Sequence, residues 1–284
     1  MKMGNSDVRI FHGWRGPYLT VYCPTGYLKV DNPFRNIRRA QMLLMENPEK
    51  RIQAAKALLL GVLFSYNNWA RSMNEMPGNI ESLIESTRIK LLKAESVDEL
   101  LGVEGVFHRE IFRNWQARFM TTWGFCERNR RPPKDPINAM ISYGNSIVYG
   151  LCVPPLQKFC FNTSLGFLHQ PRRGRHTLAL DIAELVKPSL VENVVWNLCS
   201  KGRCSIDMFE QANGGCYLNS EGRKCLRSAM YEKAENLCGK AEKNRFGWPQ
   251  TLWDSLERFA SRLAGDFLNL QIPELWVFPS SDTK

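Results

Sequence analysis

Apolar residues recur at helical spacing along most of the chain. Ile52, Ala55, Leu59, Val62, Leu63 and Trp69 share one face of an amphipathic stretch that opens at Asn47-Pro48 and runs to about Met73. An asparagine before a proline supplies a capping side chain and a first helical residue with φ already set, and Asn32-Pro33 repeats the signal. Further helices are expected at Ile80–Leu92, Ser96–Thr122, Pro136–Phe161, Thr177–Leu198, Glu221–Asn236 and Trp253–Leu270. Pro154-Pro155 and Pro188 should kink or split two of them, because proline removes a backbone donor. Strand-like alternation is confined to the start, where Tyr18–Tyr22 and Tyr27–Val30 flank the turn signal Pro24-Thr25-Gly26. Two strands alone make a marginal sheet, so this piece must pack on something else. The pattern predicts a mainly α protein: a small β-rich N-terminal piece over residues 1–31, then a large all-α domain over 32–284.

Composition narrows the class. The 284 residues are 44% apolar, enough for a sizeable core and too many for a mainly disordered chain. No apolar run approaches the roughly 18 residues of a membrane span; the best, Ala57 to Phe64, is broken by Gly61. Lys2, Asn5, Ser6, Asp7 and Arg9 crowd the N-terminus, which has no apolar signal core, and a cytoplasmic protein is expected. Lysine and arginine number 38 against 28 acidic residues, a formal charge of +10. Such an excess favours an anionic partner, nucleic acid before membrane. The nine cysteines are odd in number and form no CxxC pair, so reduced thiols packed as small apolar groups are expected, with structural zinc as the weaker alternative.

Candidate chemistry gathers around His169, one of four histidines. It closes Leu165-Gly-Phe-Leu-His169 and is followed by Arg172, Arg173 and Arg175. Asp181 and Glu184 then fall at i and i+3 of the next expected helix, so both carboxylates leave one face, with Thr177 as the N-cap. Two carboxylates and an imidazole suit Mn²⁺ or Mg²⁺, and arginines between them suit phosphate oxygens. The plainer reading is an exposed acidic face, a loop histidine and a solvated basic loop. A second pair, Glu104 and His108, stands one helical turn apart and could hold a metal or form a surface pair. Arg128, Arg130, Arg131 and Lys134 form another basic loop, ahead of Asp135-Pro136.

At these residues the chain resembles the CRISPR adaptation integrases, the Cas-one family of metal-dependent DNA endonucleases. The resemblance is carried in order by Gly102-Val-Glu-Gly105, Arg130-Arg-Pro-Pro-Lys-Asp-Pro-Ile-Asn138, Ser142-Tyr-Gly144, Gly166-Phe-Leu-His169 and Leu178-Ala-Leu-Asp-Ile-Ala-Glu184. Ile206-Asp-Met-Phe209 and Tyr217-Leu-Asn-Ser-Glu-Gly-Arg223 follow. It implies a helical catalytic domain behind an N-terminal β-sandwich, of which only the last strands are expected here, as in a compact form with a shortened N-terminal domain or a chain whose start has been lost. The implied metal ligands are Glu104, His169 and Glu184, with Asp181 a further ligand or a partner behind them. His108 falls where relatives usually have a small residue and is set aside as a bystander. The implied activity is metal-dependent transesterification that inserts short DNA fragments into a repeat array, using Mn²⁺ or Mg²⁺. Arg128, Arg130, Arg131, Lys134, Arg172, Arg173 and Arg175 would contact DNA. Implied partners are double-stranded DNA, a second copy in a homodimer or larger assembly, and a small ferredoxin-like adaptation protein. The alternatives are a non-catalytic nucleic-acid-binding scaffold and a zinc-stabilised interaction protein.

Overall fold

A computed structural model describes residues 10–13, 16–19, 33–71, 80–244 and 247–278. Local signals set the helix ends within them. Asn47 accepts the Lys50 amide at 3.0 Å at the head of α2 (Pro48–Arg71), which follows α1 (Pro33–Glu46). Ser96 caps α4 (Val97–Trp123) by accepting the Glu99 amide, and Gly124 ends it at φ +66°. Asp135 caps α5 (Pro136–Lys158) and Asn219 caps α8 (Ser220–Cys238) in the same way. The remaining helices are α3 (Ile80–Lys93), α6 (Thr177–Lys187), α7 (Asn193–Ser200) and α9 (Gln250–Leu268). No helix among the described residues is long and apolar enough to cross a membrane.

The two proline expectations separate. Pro188 ends α6 and opens a π turn, Pro188–Glu192, in which the Asn193 amide reaches back to the Pro188 carbonyl. The segment expected as one helix over 177–198 is therefore α6, a π turn and α7. Pro154 and Pro155 instead sit inside an unbroken α5, which stops at Lys158. They fall in its closing turns, where the helix absorbs the lost donors by ending.

The expectation of an all-α domain after residue 32 needs one correction. Strands β3 (Phe209–Ala212) and β4 (Gly215–Leu218) form an antiparallel hairpin with Ala212 opposite Gly215. Its two-residue turn, Asn213-Gly214, has φ of +50° and +70°, the Asn-Gly signature of a primed hairpin turn. The signal was present in the sequence, flanked by strands too short and polar to alternate clearly. At the N-terminus, β1 (Ile10–Gly13) pairs antiparallel with β2 (Gly16–Leu19). The strands expected at 18–22 and 27–30 lie, apart from residues 18 and 19, outside the described residues.

Helices α2, α4, α5 and α6 pack around one core, with Glu104 on α4, Asp181 and Glu184 on α6 and His169 on the loop between α5 and α6. Ser65 on α2 donates to the Leu185 carbonyl of α6 at 2.9 Å, a buried tie between the two. Beneath them Tyr66, Trp69, Phe107, Phe112, Trp115 and Trp196 meet mostly edge to face, the preferred aromatic geometry. Trp276 donates its backbone N–H to the Ala57 carbonyl at 3.2 Å, drawing the C-terminal segment across α2.

Candidate functional site

His169 lies on the loop between α5 and α6, held from three sides. Gln41 of α1, fully buried, donates to the Asn162 and Leu165 carbonyls at 2.9 and 2.8 Å and accepts the Asn162 amide. Arg51 of α2 donates to the Phe167 carbonyl at 3.2 Å. Thr177, expected as the cap of α6, accepts the Gly166 amide at 2.9 Å and donates to the Ser164 carbonyl at 2.6 Å. His176 takes the capping position without a side-chain cap bond. The threonine is spent on the loop because the chain turns back on itself there. A side chain at Gly166 would meet the Asp181 carboxylate at 2.7 Å, so only glycine allows that approach.

Asp181 completes the clamp. Its Oδ2 accepts the Phe167 and Leu168 amides at 2.6 and 3.1 Å. Its Oδ1 accepts the His169 amide at 3.1 Å and faces the His169 Nδ1 at 2.7 Å. With both oxygens already accepting from the backbone, Nδ1 is the donor, and the neutral ring keeps its lone pair on Nε2. Burial works against protonation of His169, but the hydrogen bond and charge of Asp181 outweigh it and lift the imidazole above 6.5. Asp181 is thus a buried group that orients the His169 ring.

Neither carboxylate is part of an exposed acidic face: Asp181 is 0% and Glu184 8% exposed. Glu184 binds Lys187 of the same helix at 2.5 Å. Burial favours its protonated form, but Lys187, His108 and His169 together hold it below the usual carboxylate range. Glu104 projects from α4, 4.0 Å from His108 Nε2. It and Glu184 both act electrostatically on the Tyr66 hydroxyl, which donates to Glu192 at 2.6 Å. Burial first, then Glu192, drives Tyr66 well above its ordinary value. Glu192 is raised by burial, against the pull of His108 and Tyr66.

The fold therefore brings Glu104, Glu184 and His169 into one electrostatic neighbourhood, around Tyr66 and His108. As placed, no three His, Cys, Asp or Glu side chains among the described residues lie close enough to share an ion. Lys187 stands in as the cation on Glu184. His169 presents a lone pair from a fixed ring, and His108 Nε2 is buried without a hydrogen-bond partner. Tyr66, Lys187 and Glu192 were not singled out from sequence. Glu192 and Lys187 were visible only as charges flanking Pro188, and nothing local linked either to Tyr66 on α2.

The two basic loops part company. Arg172, Arg173 and Arg175 are exposed, and their guanidinium groups bond to none of the described residues. Arg130 and Arg131 are exposed as well. Arg128 is mostly withdrawn from solvent: it donates to the Asn138 side chain at 2.7 Å, to Ser142 at 3.1 Å and to the Asn129 carbonyl. Burial, with Arg130 nearby, lowers it to about 10. Arg128 thereby ties the loop to α5, and a guanidinium that satisfies amide and hydroxyl acceptors in this way has few donors left for phosphate. Lys134 donates to the Gly214 carbonyl at 2.8 Å, and the Pro133 carbonyl accepts the Cys216 amide at 2.8 Å, so the β3–β4 hairpin buttresses this loop. The eight described cysteines are free thiols, and Cys23 lies outside the described residues.

The sequence matches the family described as CRISPR associated protein Cas1 over residues 10–232. The chain belongs to the Cas1 family. A CRISPR-associated endonuclease Cas1 from Clostridium perfringens is 31% identical over 210 residues, 73% of this chain and 64% of that protein. The chain thus matches less than two thirds of the length of that relative. Among solved structures, a casposase bound to its integration product superposes with a TM-score of 0.77 at 20% identity, over 95% of this chain and 77% of that one. A Cas1 protein from Thermotoga maritima gives 0.70 at 24% identity, over 94% and 78%. These two share the fold.

Proposed function

We propose that this Cas1-family chain is a metal-dependent DNA endonuclease and integrase of CRISPR adaptation. In this reading it joins short DNA fragments to a repeat array by transesterification. The observation that carries the reading is the Asp181-locked His169, set beside buried Glu184 and followed directly by three unpaired arginines. A site built only to stick to DNA has no need to bury carboxylates and orient one imidazole nitrogen.

Glu104, His169 and Glu184 would hold Mn²⁺ or Mg²⁺, with Asp181 fixing the ring and tautomer of His169. The ion would supply Lewis-acid charge at the scissile phosphate. Arg172, Arg173 and Arg175 hold flanking phosphates and fix register without reading bases. The 3′-hydroxyl of the incoming fragment attacks phosphorus, the bond from phosphorus to the target 3′-oxygen breaks, and that oxygen leaves as a hydroxyl after taking up a proton. Water in place of the hydroxyl would nick the target. Lys187 holds the Glu184 charge until a metal competes for it. A homodimer or larger assembly on double-stranded DNA, with a small ferredoxin-like adaptation partner, completes the proposal.

The test is a strand-transfer assay with a labelled short duplex and a supercoiled plasmid carrying a repeat, run with Mn²⁺, Mg²⁺ or EDTA. Joined product that requires metal and disappears in His169→Ala, while DNA binding persists, is expected. Tight binding indifferent to EDTA with no joined product would leave only a scaffold.

A further inference from the structure

Away from the His169 cluster, α7 ends in a turn that folds the chain back on itself. The Lys201 amide bonds to the Asn197 carbonyl at 3.0 Å, Gly202 follows at φ +61°, and the Arg203 amide reaches back to the Leu198 carbonyl at 3.0 Å. A left-handed glycine after the cap, with a backward bond from the next residue, is a Schellman stop. It carries Cys204 back alongside Cys199 of the last turn of α7, and the two thiols are hydrogen-bonded to each other. Cys216, Cys225 and Cys238 turn instead to Gln211, the Arg203 carbonyl and Ser255. Burial drives Cys199 well above its ordinary value, and the bond to Cys204 adds to that. The same bond lowers Cys204, against burial. Cys199 is therefore the donor, and Cys204 is the sulfur with thiolate character.

We infer that Cys199 and Cys204 form a redox site, in which hydrogen peroxide oxidises Cys204 and Cys199 resolves the product to a reversible disulfide. Both residues are 8% exposed, and Lys201, Gly202, Arg203 and Ser205 beside them lie at the surface, where a small oxidant reaches the turn. The Cys204 thiolate attacks one peroxide oxygen, the O–O bond breaks, and the departing hydroxide takes the Cys204 proton to leave as water. The Cys199 sulfur then attacks the sulfenic sulfur. The S–S bond forms, the S–O bond breaks, and the second hydroxide leaves with the Cys199 proton as water. Two thiols are oxidised, and one peroxide is reduced to two waters. With the sulfurs already neighbours, the resolving step outruns further oxidation of Cys204. The cross-link pins a turn whose Arg203 pairs with Glu232 of α8 at 3.0 Å and from which the chain runs on to the β3–β4 hairpin.

The inference is independent of the metal reading, and peptide mapping tests it. The full-length protein is reduced, freed of reductant and treated with hydrogen peroxide, with or without dimedone as a trap for sulfenic acid. It is then alkylated, cut with trypsin and analysed by mass spectrometry. Lys201 and Arg203 lie between the two cysteines, so trypsin separates them and only a disulfide keeps their peptides joined. In the parent, a joined pair lighter than its parts by two hydrogens, and split again by dithiothreitol, is expected. Cys199→Ser should leave Cys204 labelled by dimedone and joined to nothing. Cys204→Ser should leave Cys199 a free, alkylated thiol. Circular dichroism checks that both variants fold, and the parent map decides even where one does not. Cys204 joined to Cys216 or Cys225 instead, or both thiols still free once the exposed Cys126 is oxidised, would overturn the inference.

Discussion

One oxygen of Asp181 holds both ends of His169: Oδ1 accepts the backbone amide at 3.1 Å and faces the ring Nδ1 at 2.7 Å. The same contact fixes the loop and the tautomer, so local stability and the free lone pair on Nε2 depend on one carboxylate. Asp181→Asn keeps the shape but turns an –NH₂ toward a donor. A stability loss of about 1–3 kcal/mol is expected for the unsatisfied buried amide, with Mn²⁺ affinity down by about 10–100-fold. Denaturant melts and calorimetry read the two together. A variant that loses neither would show that the clamp is dispensable.

Lys187 and Glu184 form a buried pair at 2.5 Å, and the lysine is the cation that the proposed metal would have to displace. Lys187→Met should destabilise the protein without added metal by about 3 kcal/mol, because it strands a buried charge. The same change should tighten Mn²⁺ binding by removing the internal competitor. Thermal shifts with and without Mn²⁺ should therefore diverge more in the variant than in the parent. Equal shifts would mean that the lysine and the metal do not compete.

The raised His169 fixes a direction for pH. Its folded-state value lies above the unfolded 6.5, so the Asp181–His169 pair contributes stability fully below pH 6.5. That stability is lost as pH rises through the folded value. Metal binding runs the other way, since it needs the neutral ring and strengthens over the same interval. Calorimetric titrations of Mn²⁺ across this range, with His169 followed by nuclear magnetic resonance, check both trends. Metal affinity that is flat with pH would remove His169 from the ligand set.

Arginines at the two loops should behave differently. Replacing Arg172, Arg173 and Arg175 together should lower the salt dependence of DNA binding by roughly 0.9 per lost phosphate contact, with folding unchanged. Arg128→Met should leave that slope alone and cost about 1–3 kcal/mol of stability, because Asn138 and Ser142 lose their donor. A changed slope in Arg128→Met would restore it to the DNA surface.

The sequence by itself determined most of the helical frame. Apolar spacing together with the caps Asn47, Ser96, Asp135 and Asn219 marks helix ends through bonds to residues within a few positions, and such bonds are legible in order. The ordered motifs also picked out Glu104, His169, Asp181 and Glu184. Tertiary structure alone decided what these groups do to one another. Tyr66 meets Glu192 across 126 residues, and Gln41 holds the His169 loop across more than 120. It also makes Thr177 a loop clamp in place of a cap and ties Arg128 to Asn138 of α5. The physical reason is common to all of them. Burial and partnership set the state of a polar group, and both depend on which distant helices close over it.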